Sequence, residues 1–197
     1  MTSITHSPHL IVYSKKTLGT ITMEGFMTDN ADTIDSAVAA VTITTGKYLT
    51  FSLAKEEYGI GILKAKEIIG MMPVTPIPRT PAFVKGVINL RGKVIPVVDL
   101  RAKFAMPALS YTERTCIIVV EIDSEAETVL IGIVVDSVSE VLNIKKEEIE
   151  PPPSFGSRRF KHDFILGMAK TDSGVKILLN IDQVLSFNEL TEIKQVA

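Results

Sequence analysis

The chain repeats itself, and that constrains its fold more than any other feature. Gly59-Ile60 and Lys66-Glu67-Ile68-Ile69 recur 73 positions on as Gly132-Ile133 and Ser139-Glu140-Val141-Leu142. Farther along, Phe83-Val84-Lys85-Gly86 and Val97-Val98-Asp99-Leu100 recur 81 positions on as Phe164-Ile165-Leu166-Gly167 and Leu178-Leu179-Asn180-Ile181. One offset therefore holds across a whole hairpin. The eight-residue difference between the offsets falls where the second copy carries Pro151-Pro152-Pro153 and the polar stretch from Gly156 to Asp163, and loops absorb insertions of that kind.

Each copy reads as short β-rich runs. They are 48–53, 58–62, 83–90 and 94–100 in the first copy, and 116–122, 129–135 and 175–181 in the second. Turn-forming or charged segments such as Arg91-Gly92-Lys93 and Asp172-Ser173-Gly174 separate them. Two copies of four or five strands predict a mainly β protein of two small barrels, a closure that removes exposed strand edges. A short helix closes each copy, at 99–104 and 180–187, started by Asp99 and Asn180 in the N-cap position. A groove between like barrels is a natural place for another protein to bind. Residues 1–46, rich in Thr and Ser, read as a mobile arm. Ile34, Ala37, Val38 and Val41 share a helical face there and predict a short helix over 32–41.

Composition narrows the function. With 21 basic and 23 acidic side chains in 197 residues the net charge is −2, so there is no basic field to hold a nucleic acid. The single cysteine, Cys116, sits in the apolar run 115–120, excludes disulfides within the chain and fits a reducing cytoplasm. The longest apolar stretch, Val129 to Val135, is far shorter than the ~18 residues that cross a bilayer, so no direct membrane insertion is expected. The first residues have no charged-then-apolar leader pattern, because His6, Ser7, Pro8 and His9 interrupt it.

Chemistry-bearing patterns are scarce. His162, beside Asp163 in a basic stretch, has no nucleophile motif to serve, and reads as a solvated loop residue. One cysteine and three scattered histidines make no metal set, and no cofactor is expected. Gly59-Ile60-Gly61 lacks the third glycine and the helix of a dinucleotide loop; a strand glycine allowing close packing is the better reading. The neighbours of Cys116 are apolar, which favours packing over reactivity. Glu67 and Arg91 interrupt apolar blocks, and a guanidinium at a hairpin tip can bridge to a carboxylate and hold the hairpin in one pose.

The run from Phe83 to Arg101, FVKGVINLRGKVIPVVDLR, closely resembles the central motif of CheW, the coupling-protein family of bacterial chemotaxis. Tyr58 to Ile69, Leu130 to Leu142 and Gly167 to Leu185 resemble the family in the same order, so that about 150 of the 197 residues are covered. The resemblance implies two intertwined SH3-like five-stranded β-barrels in a domain over 47–190, the first barrel about 47–105 and the second about 115–187, with 188–197 as a C-terminal tail. It implies a cytoplasmic adaptor without enzymatic activity, which joins the regulatory domain of a CheA-type histidine kinase to the cytoplasmic tips of chemoreceptors in arrays. By the same resemblance the coupling residues are Ala65, Glu67, Gly86 and Arg91 in the first copy, with Cys116, Ile117, Val138 and Val141 around the second. Ala65 stands where a larger aliphatic residue is expected, and the arm is longer than the family's usual lead-in. A homologue serving another array, in twitching, gliding or development, is the alternative. A ligand binder or enzyme using His162 and Asp163 is the distant one.

Overall fold

The computed structural model describes residues 45–123, 128–152, 164–186, 188–189 and 193. The arm through residue 44 with its helix over 32–41, the pair His162 and Asp163, and most of the tail lie outside them. Among the described residues eleven strands follow in chain order: β1 (Gly46–Leu53), β2 (Glu56–Gly61), β3 (Ala65–Gly70), β4 (Val84–Leu90), β5 (Lys93–Asp99), β6 (Cys116–Asp123), β7 (Thr128–Val135), β8 (Ser137–Ile144), β9 (Ile149–Glu150), β10 (Ile165–Thr171) and β11 (Gly174–Leu179). Single helical turns follow two of the strands, α1 (Leu100–Lys103) after β5 and α2 (Ile181–Val184) after β11. Asp99 and Asn180 cap them as the sequence predicts, accepting the N–H of Ala102 at 3.1 Å and of Asp182 at 3.2 Å.

The strands form one sheet in the order β8-β1-β2-β11-β10-β9 and another in the order β3-β6-β7-β5-β4. Each sheet draws on both copies. It takes the first two strands of one copy, joined in parallel (β2 with β11, β7 with β5) to the later strands of the other. The length of one connection explains the exchange. In the first sheet β8 runs antiparallel to β1, and β1 to β2, so a copy closed on itself would need β3 to run beside β1 in the direction of β2. The chain would then have to return along all six residues of β2, about 20 Å. Only Ile62–Lys64 link β2 to β3, and such a link reaches about 14 Å at most. The later strands must therefore go to the other sheet.

The expectation of closed barrels is corrected in one respect: among the described residues, the end strands of neither sheet pair with each other. The free side of β4 is taken by Thr75, whose backbone exchanges two hydrogen bonds of 2.9 Å with Val87, and that of β10 by β9.

Side-chain alternation divides the interior. Along β6, Cys116, Ile118, Val120 and Ile122 enter the core between the sheets, whereas Ile117 and Val119 enter a second core with Ile88, Ile95, Val97 and Val134, all of the five-stranded sheet. A third core inside the six-stranded sheet holds Tyr48, Ile144, Ile149, Ala169 and Leu178. Each large apolar side chain buried this way contributes about 1.5–3 kcal/mol. A row of stacked rings, Phe51, Tyr58, Phe104 and Phe164, ties both copies together at centroid spacings of 6.0, 6.0 and 5.3 Å. The strand glycines are equivalent in the repeat: a Cβ on Gly59 would sit 2.9 Å from Leu178 Cδ2, and one on Gly132 2.7 Å from Ile117 Cγ2.

Candidate partner-binding site

The β4–β5 hairpin turns through Arg91 and Gly92, with φ of 52° and 84°, between the paired Leu90 and Lys93. Two central residues at positive φ are what a two-residue hairpin of matching twist requires, and Asn89 Oδ1 secures the turn by accepting the Gly92 N–H at 2.9 Å. Arg91 is thereby thrust outward, its side chain 78% exposed, and its Nη2 donates to Glu67 Oε1 at 2.7 Å. The contact is one N–H···O bond, not the two-pronged bridge a guanidinium can make. Glu67 lies on β3 and Arg91 in the turn after β4, the two end strands of the sheet, so the pair is a side-chain contact across the sheet's unpaired ends.

Gly86 lies behind this rim. The register shifts between Val84 and Gly86, and the glycine at φ 135° lets Thr75 approach so closely that a Cβ would fall 2.0 Å from the Thr75 carbonyl oxygen. Ala65 opens β3 opposite Val120, half-buried against the core between the sheets. Its repeat equivalent Val138 occupies the same kind of place on β8, opposite Phe51. A register shift follows each of these two residues as its strand meets its neighbour, so a bulge re-aims the chain at both places.

The remaining candidates divide by depth. Cys116 is buried; burial pushes its thiol up, a backbone hydrogen bond from Val138 opposes this, and burial prevails. Ile117 is wholly buried in the core of the five-stranded sheet. Val141 is 49% exposed on β8. The structure thus joins Glu67 with Arg91 and Cys116 with Val138, places Ala65 on the strand of Glu67, and puts Ile117 where no partner reaches it without a shift of the core. Sequence reasoning missed Ile68, the repeat equivalent of Val141, which is 47% exposed on β3. It also missed the equivalent pair Val94 and Val175, likewise exposed. Comparing exposure-compatible apolar residues across the two offsets is the signal that finds all four.

No three His, Cys, Asp or Glu side chains among the described residues gather to hold a metal ion. Nor is any helix among them long and apolar enough to cross a membrane.

These features define a class: a duplicated, mainly β domain whose copies share both sheets, with a charged rim and exposed apolar strand residues. Residues 47–189 match the CheW-like domain family, and the chain belongs to that family. It is 42% identical over 151 residues to the chemotaxis protein CheW of Klebsiella aerogenes, covering 77% of this chain and 88% of that one. To the chemotaxis protein CheW of Rhizobium meliloti it is 35% identical over 153 residues, 77% of this chain and 96% of that one. Among solved structures it is similar to the scaffolding protein TtCheW of Thermoanaerobacter tengcongensis, with a TM-score of 0.64 and 37% identity over 74% of this chain and 96% of that one.

Proposed function

We propose that this chain is a chemotaxis adaptor. It binds the regulatory domain of a CheA-type histidine kinase and the cytoplasmic tip of a chemoreceptor, and so couples the two in a signalling array, performing no chemistry of its own. It works in the cytoplasm and meets membrane-bound arrays through these partners. Family membership over 47–189 supports the reading. The observation that carries it at the level of residues is the Glu67–Arg91 pair. An ion pair so exposed adds at most about 1 kcal/mol to stability. Its consequence is to hold a guanidinium outward in one pose, with Ala65 and Ile68 on the strand of Glu67 as small and apolar contact positions. To control a kinase the adaptor must contact the kinase's two states differently, since equal binding to both would shift nothing.

Calorimetric titration of the purified chain against a CheA regulatory domain and, separately, a receptor cytoplasmic fragment from the same source tests the proposal. Saturable binding to both is expected. Arg91→Ala should weaken one of them about tenfold or more while leaving the melting temperature within about 2 °C. Binding to neither partner by a folded chain would refute the coupling role in that array and direct the search to the kinases of twitching, gliding or developmental systems.

A further inference from the structure

Two ion-pair clamps join the copies, and the repeat relates one clamp to the other. In the first, Arg101 of α1 grips Asp136, which lies between β7 and β8, with Nε 2.7 Å from Oδ1 and Nη2 2.9 Å from Oδ2. Asp136 Oδ2 also accepts the N–H of Ala54, in the β1–β2 turn, at 2.7 Å. The residue 81 positions after Arg101 is Asp182, at the same place in α2. Its carboxylate receives Lys64, from the link between β2 and β3, with Nζ 2.8 Å from each oxygen, and accepts the N–H of Asp123, at the β6–β7 turn, at 2.9 Å; Lys64 Nζ also donates to Asp123 Oδ2 at 2.8 Å. Corresponding elements meet at both clamps, but the polarity is reversed. The first has its base on the helix and its acid on the strand junction; the second has its acid on the helix and its base on the junction.

We infer that this reversal sorts the strand exchange: it admits two unlike copies and rejects two like ones, so that strands are not exchanged between the first copies or between the second copies of two chains. The backbone ladders, the strand glycines, the bulges and the Ile/Val-rich faces repeat between the copies, so charges of this kind are what can tell them apart. If first copies from two chains exchanged strands, Lys64 would face Arg101. If second copies did, Asp136 would face Asp182. The four side chains are only 13–27% exposed, so like charges there are weakly screened. A third contact agrees. Lys176, buried on β11, lies 3.5 Å from Glu57 Oε2 on β2, and the repeat equivalents of these two are Ile95 and Leu130. Exchange between second copies would set the buried Lys176 against Leu130, a charge without a partner.

The test is the full chain carrying Lys64→Asp with Asp182→Lys. This double variant keeps an acid–base pair at the second clamp, although the new carboxylate then also meets Asp123 in place of Lys64, and it gives both clamps the same polarity, which makes like pairings attractive. Wild type and variant are unfolded in guanidinium, refolded together at high protein concentration, diluted, and sized by chromatography with light scattering. Strand-exchanged dimers survive dilution, whereas weak association does not. The variant should show a several-fold larger dimer fraction than wild type. Lys64→Gln with Asp182→Asn, where the amide oxygen still accepts the Asp123 N–H, should give an intermediate fraction, and it decides the matter if the reversed pair does not fold. Equal dimer fractions in wild type and the folded variants would overturn the inference.

Discussion

Gly86→Ala separates a structural role from a contact role at one position of the candidate site. The glycine sits at φ 135°, a backbone conformation that costs an L-residue about 1–3 kcal/mol. The new methyl carbon would also start 2.0 Å from the Thr75 carbonyl oxygen and 2.9 Å from Pro76 Cα, both backbone, so that neither can rotate away. The segment carrying Thr75 must move off β4, and the two 2.9 Å hydrogen bonds between Thr75 and Val87 go with it, at about 1 kcal/mol each. Strain and lost bonds together come to about 3–5 kcal/mol, which for a domain of this size lowers the melting temperature by about 10 °C or more. Thermal unfolding followed by circular dichroism reads this directly, and calorimetry below the transition reads binding to the kinase and receptor fragments. A variant that melts within about 2 °C of wild type would refute the steric reasoning; if its binding were also lost, Gly86 would be a contact residue where a partner passes close to the backbone.

Ile117→Ala should destabilise the domain by about 2–5 kcal/mol in denaturant titration, because the side chain is wholly buried among Ile88, Val97 and Val134. Binding by the fraction still folded should be unchanged, and a loss of binding at full stability would show that this core opens to a partner. Burial raises the Asp136 carboxyl, but the Arg101 guanidinium and the Ala54 N–H prevail and hold it below the usual carboxylate range. Its contribution to stability is therefore present above about pH 4, the unfolded value, and is lost as pH falls through the lower folded value. Asp136→Asn should be less stable than wild type near pH 7 by about 1–3 kcal/mol and should lose less on acidification, as unfolding curves at a series of pH values will show. Cys116, its thiol raised by burial, should react with a thiol reagent far more slowly in the native chain than in denaturant, and equal rates would contradict the burial.

Local readings from the sequence carried far because they depend on neighbours along the chain. The cap residues Asp99 and Asn180, the turn at Arg91-Gly92 and the close-packed Gly59 follow from rules that reach a few residues, and each stands where those rules put it. The Glu67–Arg91 pair spans 24 residues but was still legible, since a charge interrupting an apolar strand needs an answer and the nearest hairpin tip supplied one. Pairing between strands is another matter. Alternation says which side chains of β6 face inward together but not which strand lies beside it, so two separate barrels and two shared sheets read alike in hydrophobic pattern. What distinguishes them is the three-residue link at Ile62–Lys64, too short to return a chain along β2, and the opposite charges at Arg101 and Asp182 where the repeat otherwise holds. In a duplicated chain the matching positions describe what each copy can form, and the positions that break the match describe how the copies join. Lys176 against Ile95, Glu57 against Leu130 and Arg101 against Asp182 all break it, and each lies in a contact between the copies.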